Sequence, residues 1–359
     1  MPLTLLLALP LAAGLAAPAT DAVGPAVRSA VRALVADPHT AGVSLAVLKD
    51  GRWATFHFGT VDRARAARPT DSTVYPIASI TKTFTGTLLA QAAVEGRLTV
   101  DDDVRKYLDG PYPNLEFEGQ PIRLHHLLSH RSGLPFLLPE APMERTNQAL
   151  AALTRADFYT ALRAVRLAAP PGQRFQYSNA GAMLAGYVLE RVYGLPYERL
   201  LKTKLTGPWH MDDTAITMSP DQRARRAKGY EGQGGEAPST PDTVQAAAAL
   251  KSTLADMMKY AAAHLSEKEA AVRLSHAPTL ASGAYSVGLN WQMLRAGDRR
   301  LIWQQGNIPG FVSYCILLPE SGLALVILTN ESDENAGSRL EAAANTLLKE
   351  LDPLAVLLP

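Results

Sequence analysis

Hydrophobic positions along the 359-residue chain change period twice. Residues 27–36 carry apolar side chains at helical spacing. Gly42–Lys49 and Arg52–Gly59 then alternate apolar and polar positions on either side of Asp50-Gly51, the pattern of a tight β-hairpin. From Ser79 to about His264 the period becomes helical, broken by Pro/Gly loops, with helices predicted over residues 83–95, 149–167 and 180–192. The β pattern returns in residues 284–293, 300–303, Phe311–Leu318 and Leu323–Thr329, with Glu320-Ser-Gly322 turning the last pair. Residues 337–351 close the chain as an amphipathic helix. Strands at both ends around a helical middle predict an α+β fold: one antiparallel β-sheet built from both chain ends, flanked by helices, with a mainly helical domain inserted. The expected division is an α/β lobe of residues 23–78 and 280–359 and a helical lobe of residues 79–279, with a cleft between them as the natural place for a site.

Composition removes several classes. Apolar residues make up 47% and charged residues 19%, ordinary values for a folded domain with an ample core. A formal charge of +1 gives no basic field for nucleic acid, and no polybasic cluster suits a membrane surface. Cys315 is the only cysteine, so an intrachain disulfide and a Cys-rich metal site are excluded. Residues 1–22 open with a short apolar run and continue in small residues, with Ala17-Pro18-Ala19 suited to cleavage. They read as a signal peptide without a basic start, too short and too interrupted for a membrane span, and predict a periplasmic or secreted protein.

Candidate chemistry begins at Ser79-Ile-Thr-Lys82. The residues before Ser79 are extended in character and those after it helical, so Ser79 falls at a helix start, where unpaired N–H groups and the helix dipole favour a developing anion. Lys82, three residues on, shares its face and could serve as base if burial lowers its pKa. Taken alone, the segment favours a capping serine beside a solvent-facing lysine, because Ser-x-x-Lys arises readily by chance. Tyr177-Ser-Asn179 places a phenol and an amide just ahead of a helix. Tyr112-Pro-Asn114 has the same spacing but reads as a plain turn. Gln304-Gln305-Gly306-Asn307 lies between two strand candidates, where Gly306 allows close backbone approach and an edge strand could offer an oxyanion donor opposite Ser79. His126 and His130 stand at zinc-helix spacing, but the companion glutamate is missing, so no metal is assigned. There is no Gly-x-Ser-x-Gly elbow, dinucleotide fingerprint or phosphate-binding loop.

Taken in order, Ser79-x-x-Lys82, Leu127-Leu-Ser-His-Arg-Ser-Gly-Leu-Pro135, Pro171-Gly172-x-x-Phe175-x-Tyr177-Ser-Asn179, Pro208-Trp-His-Met211-Asp-Asp-Thr214 and Gly306-x-x-x-Gly310-Phe311 form one series. The series resembles the serine β-lactamase/penicillin-binding superfamily, in the branch of class C β-lactamases, D-alanyl-D-alanine peptidases and related esterases. The resemblance runs from about Val43 to Leu328 and implies a β-lactamase/transpeptidase-like fold over residues 23–359. It implies that Ser79 becomes acylated, that a cationic Lys82 and Tyr177 share the proton traffic, and that Asn179 holds Lys82 or the substrate. Backbone N–H groups of Ser79 and Asn307 would form the oxyanion hole, with Gln304, Gly306 and Asn307 at the substrate. No metal or organic cofactor is implied.

The sequence departs from that family in its third motif. Lys-Thr-Gly is replaced by Gln304-Gln305-Gly306, and a neutral amide lacks the charge that attracts a substrate carboxylate. Unless an arginine substitutes, this weakens binding of a β-lactam or of a peptide with a free C-terminal carboxylate, and shifts the expected substrate toward a small-molecule ester or broad, slow hydrolysis of a peptidoglycan-like peptide. The expected function is a serine hydrolase acting on esters, D-amino-acid peptides or β-lactam-like amides. The alternative is a slow or inactive penicillin-binding receptor or sensor module.

Overall fold

The computed structural model describes residues 19–140, 150–232 and 234–359. The predicted leader lies outside them as far as residue 18, and its expected end at residue 22 falls within helix α1 (Ala19–Ala36). Eight strands form one antiparallel sheet: β1 (Gly42–Lys49), β2 (Arg52–Gly59), β3 (Leu280–Ser282), β4 (Tyr285–Val287), β5 (Gln292–Ala296), β6 (Arg299–Ile308), β7 (Phe311–Leu318) and β8 (Leu323–Thr329). Their order is β2-β1-β8-β7-β6-β5-β4-β3, so β1 from one chain end pairs directly with β8 from the other. The β1–β2 turn is the one its sequence demands. Asp50 and Gly51 both have positive φ (52° and 72°), and Lys49 faces Arg52.

Alternation along the central strands separates two cores. Val312, Tyr314 and Ile316 of β7 face the same side as Val43, Leu45 and Val47 of β1, where α1 and the last helix, α9 (Ala336–Leu351), cover them. Cys315 and Leu317 face the helical side with Ala46, Leu48, Val326 and Leu328. Both faces are dry, which is why β7 and β8 read as unbroken apolar runs.

Helix α2 (Thr81–Val94) runs through the middle of the helical region and is buried on nearly every side. It therefore lacks an amphipathic stripe. Its threonines are satisfied by neighbours: Thr83 Oγ1 donates to Ile80 O (2.7 Å), and Thr85 Oγ1 to Ala246 O (2.6 Å). Gly86 is required here, because a Cβ would stand 2.0 Å from Leu289 O. Around α2 pack α5 (Asn179–Tyr193), α6 (Gln245–Ala248) and α8 (Ala270–Ser275), while α7 (Leu254–Ser266) lies on β7 and β8.

Several boundaries move for local reasons. The helix predicted over residues 149–167 contains α4 (Arg155–Ala164), whose start is set by Thr154, which accepts from Asp157 N (3.1 Å) in a capping box; residue 149 lies outside the described residues. The strand predicted over residues 284–293 is two strands, β4 and β5, parted where Asn290 turns left-handed (φ 67°). The strand predicted over residues 300–303 extends through Ile308, so Gln304–Asn307 sits inside β6 and not in a connector. His126 and His130 do not share a helix: α3 (Leu124–Leu128) has ended before His130, which is left-handed (φ 58°).

Candidate active site

A short strand, Val74–Pro76, pairs with Lys251–Thr253 and delivers the chain to Ser79. Ala78 is then forced into left-handed backbone (φ 48°), a conformation that costs an alanine about 1–2 kcal/mol. A single 3-10 turn, Ala78–Ile80, places Ser79 two residues ahead of α2. Ser79 Oγ accepts from Lys82 Nζ at 2.9 Å and from Tyr177 Oη at 2.7 Å. Lys82 is fully buried and also donates to Ala247 O of α6 (2.9 Å). It does not face solvent. Burial holds its ammonium below the ordinary lysine range, against an opposing pull from Tyr177. Lys82 Nζ also lies 4.8 Å from the centre of the Tyr177 ring.

Tyr177 sits in the loop before α5, and the Leu127–Pro135 motif is the cradle of that loop. Gln176 N donates to His130 O (2.7 Å), Gly172 N to Arg131 O (2.8 Å) and Ser178 Oγ to Pro135 O (2.7 Å). The His130 ring lies 4.3 Å from the Tyr177 ring, and its Nδ1 accepts from Ser178 N (3.2 Å). Burial, helped by the nearby Lys82, pulls His130 down to about 3, so it remains a neutral packing partner. Ser178, not Asn179, caps α5, accepting from Gly181 N (2.9 Å). Asn179 is the first residue of that helix and lines the cavity, its buried Oδ1 without a partner among the described residues. Tyr112 and Asn114 are elsewhere, Asn114 bonding to Leu162 O (2.8 Å) as a turn anchor.

Strand β6 forms the opposite wall. β5 accompanies it only as far as Trp303, so Gln304–Ile308 presents an uncovered edge to the cavity. Gly306 permits its close approach to the nucleophile turn: a Cβ there would meet Ile77 O at 2.3 Å and Ser313 Oγ at 2.5 Å. Asn307 is exposed at the same edge. Gln304 is buried and turned inward. Its Nε2 donates to Asn290 O (2.7 Å), and its Oε1 accepts from Gln305 N (3.0 Å) and Gln292 Nε2 (3.3 Å). Ser79, Tyr177, Asn179, Gln304 and Asn307 therefore line one cavity of about 650 Å³. Its remaining wall is largely apolar, from Phe136, Leu150, Val244, Ile308 and Pro309. Sequence reasoning did not find Ala247, whose contribution is a carbonyl that any residue has, nor Gln292 or Phe136.

A sheet joined from both chain ends, packed on helices that bring a serine, a lysine and a tyrosine into one cleft, is the architecture of the serine β-lactamase/transpeptidase superfamily. The family model described as Beta-lactamase matches residues 27–349, and the chain belongs to that family. It is 29% identical over 318 residues to Protein flp of Staphylococcus aureus (strain N315), covering 82% of this chain and 61% of that protein. The chain thus spans about three fifths of the length of that relative. It is 25% identical to the Beta-lactamase of Pseudomonas fluorescens, over 91% of this chain and 98% of that one. It is 26% identical to the D-alanyl-D-alanine-carboxypeptidase/endopeptidase AmpH of Escherichia coli (strain K12), over 86% and 84%. Among solved structures, the Beta-lactamase/D-alanine Carboxypeptidase from Yersinia pestis complexed with citrate superposes with a TM-score of 0.79. That match has 25% identity and covers 92% of this chain and 97% of that one.

Proposed function

We propose that the protein is a serine hydrolase that works through a covalent acyl-enzyme on Ser79, with small-molecule esters as its best substrates. The observation that carries this reading is the pair of proton-handling groups on one oxygen: Lys82 Nζ and Tyr177 Oη, 2.9 and 2.7 Å from Ser79 Oγ. Ser79 Oγ attacks the substrate carbonyl carbon while its proton passes to the neutral Lys82 amine. The oxyanion forms between the Ser79 and Asn307 N–H groups. The tetrahedral intermediate then breaks its bond to the leaving group, which takes the Tyr177 proton, and Lys82 returns a proton to the phenolate. Water repeats the sequence on the acyl-enzyme and frees the acid. Asn179 orients the substrate with its unpartnered amide oxygen.

Two features favour esters over β-lactams and C-terminal peptides. Among the described residues no charged side chain lines the cavity beside Ser79, and the Gln304 amide is occupied by Asn290, Gln305 and Gln292. The carboxypeptidase activity in the name of one relative keeps D-amino-acid peptides as the next class. The same Gln304 would suit a receptor that acylates slowly, but a binding module has no chemical need of the Ser79–Lys82–Tyr177 cluster. The apolar leader supports export to the periplasm or beyond, which cell fractionation tests; among the described residues no helix is long and apolar enough to cross a membrane.

Steady-state kinetics on p-nitrophenyl butyrate, a D-alanyl-D-alanine peptide and a cephalosporin test the ranking. The expected order of kcat/KM is ester, then peptide, then cephalosporin. Cephalosporin hydrolysis near the diffusion limit, about 10⁸ M⁻¹s⁻¹, would overturn it.

A further inference from the structure

Beside the cavity that holds Ser79 lies a second one of about 290 Å³. The two share Thr240, Ala248 and Ile308 as a common wall. A substrate chain laid along the uncovered edge of β6 from Gln304 toward Ile308 ends in this second chamber, whose lining includes Arg226, Lys251, Asp242 and Phe311.

The charges there do not cancel. Lys251 donates to the Asp242 carboxylate and to Ile216 O (2.8 Å), so that pair is mutually neutralised. Glu236, the other carboxylate whose field reaches Arg226, lies 3.5 Å from Lys228. Arg226 itself has a buried Nε with no partner among the described residues. Its neighbour Arg225 behaves oppositely, placing its guanidinium on Asp213 (2.6 Å) and Asp221 (2.7 Å). A buried guanidinium N–H without a partner is costly unless a ligand supplies one.

Arg226 is also held in place. Ala227 N donates to Val74 O (3.0 Å) on the strand that leads to Ser79, and the guanidinium carbon stands 5.6 Å above the Phe311 ring. Gly229 packs so closely on the β6–β7 turn that a Cβ would meet Phe311 Cε2 at 2.6 Å. The cation is thereby fixed at the far end of the acyl path, while the Gln304–Ile308 edge of β6 carries none.

We infer that Arg226 is a carboxylate anchor and that the esters this protein favours carry an anionic group at the end of the acyl chain. This rests on the hydrolase reading for its chemistry. It replaces the missing third-motif lysine with a cation at the other end of the same edge.

The test compares p-nitrophenyl esters of the ω-carboxyl acids succinate, glutarate and adipate with the uncharged acyl esters of matching length. In the wild-type protein kcat/KM is expected to favour at least one charged ester over its neutral counterpart by about 10- to 100-fold. Arg226→Met should collapse that ratio toward one, and Arg226→Lys should retain part of it. A wild-type ratio near one for all three lengths, or a ratio unmoved by Arg226→Met, overturns the inference. Calorimetric binding of adipate to the Ser79→Ala protein, with and without Arg226→Met, separates the two readings. Failure of every ester and of Ser79 labelling would sink the hydrolase reading, while adipate binding at least tenfold weaker without Arg226 would still uphold the anchor. Equal adipate binding would remove it.

Discussion

Ser79 Oγ accepts hydrogen bonds from two groups able to handle a proton, and the proposed mechanism gives them different work. Lys82 is fully buried against the Ala247 carbonyl, and burial disfavours its charged form. The proton-free amine therefore accumulates as pH rises through a value below the ordinary lysine pKa of about 10.4. The expected pH profile of kcat/KM for a neutral ester rises and levels off before that value is reached. A limb still climbing at an ordinary lysine pKa would show that Lys82 is not the base. The same depression has a stability signature. Between the lowered folded value and the ordinary unfolded one, the unfolded chain holds the extra proton, so the contribution of Lys82 to stability rises with pH over that window. His130 adds no limb near neutrality, because burial keeps it uncharged down to about 3. Lys82 and Tyr177 were legible in the sequence as motif members. The burial that lowers the pKa of Lys82 was not, because it depends on helix α6, more than 160 residues away, closing over the amine.

Among elements, the decisive contact is between β6 and the turn that carries the nucleophile. Ser313 Oγ donates to Ile77 O (3.1 Å), and Gly306 leaves no room for a side chain between them. Gly306→Ala should push β6 away from Ser79, costing about 1–3 kcal/mol in denaturant unfolding and lowering kcat more than KM is raised. An alanine variant with wild-type stability and kcat would mean the strand approaches Ser79 less closely than described. The β1–β2 hairpin was readable because Asp50-Gly51 dictates its turn locally. The extent of β6 was not, because Gly306 and Pro309-Gly310 look like loop residues until the strand is seen to need them for close approach and for its exit turn. Likewise α2 showed no amphipathic pattern, since it is wrapped on every side and its polar positions are satisfied by α6, Tyr197 and Tyr260.

At the scale of the whole molecule, strand periodicity at the two chain ends was enough to predict one sheet, and β1 beside β8 is how the ends meet. What periodicity could not supply is the convergence of distant segments on one cavity: residues 77–82, 130–136, 177–179, 245–248 and 304–309 come together through tertiary packing. The central claim is that this convergence makes Ser79 a nucleophile. Intact-protein mass spectrometry after incubation with a fluorophosphonate, wild type beside Ser79→Ala, tests it most directly. The account predicts a single adduct on the wild-type protein, mapped to Ser79, and none on the variant. An unlabelled wild-type protein, or equal labelling of both, would contradict it.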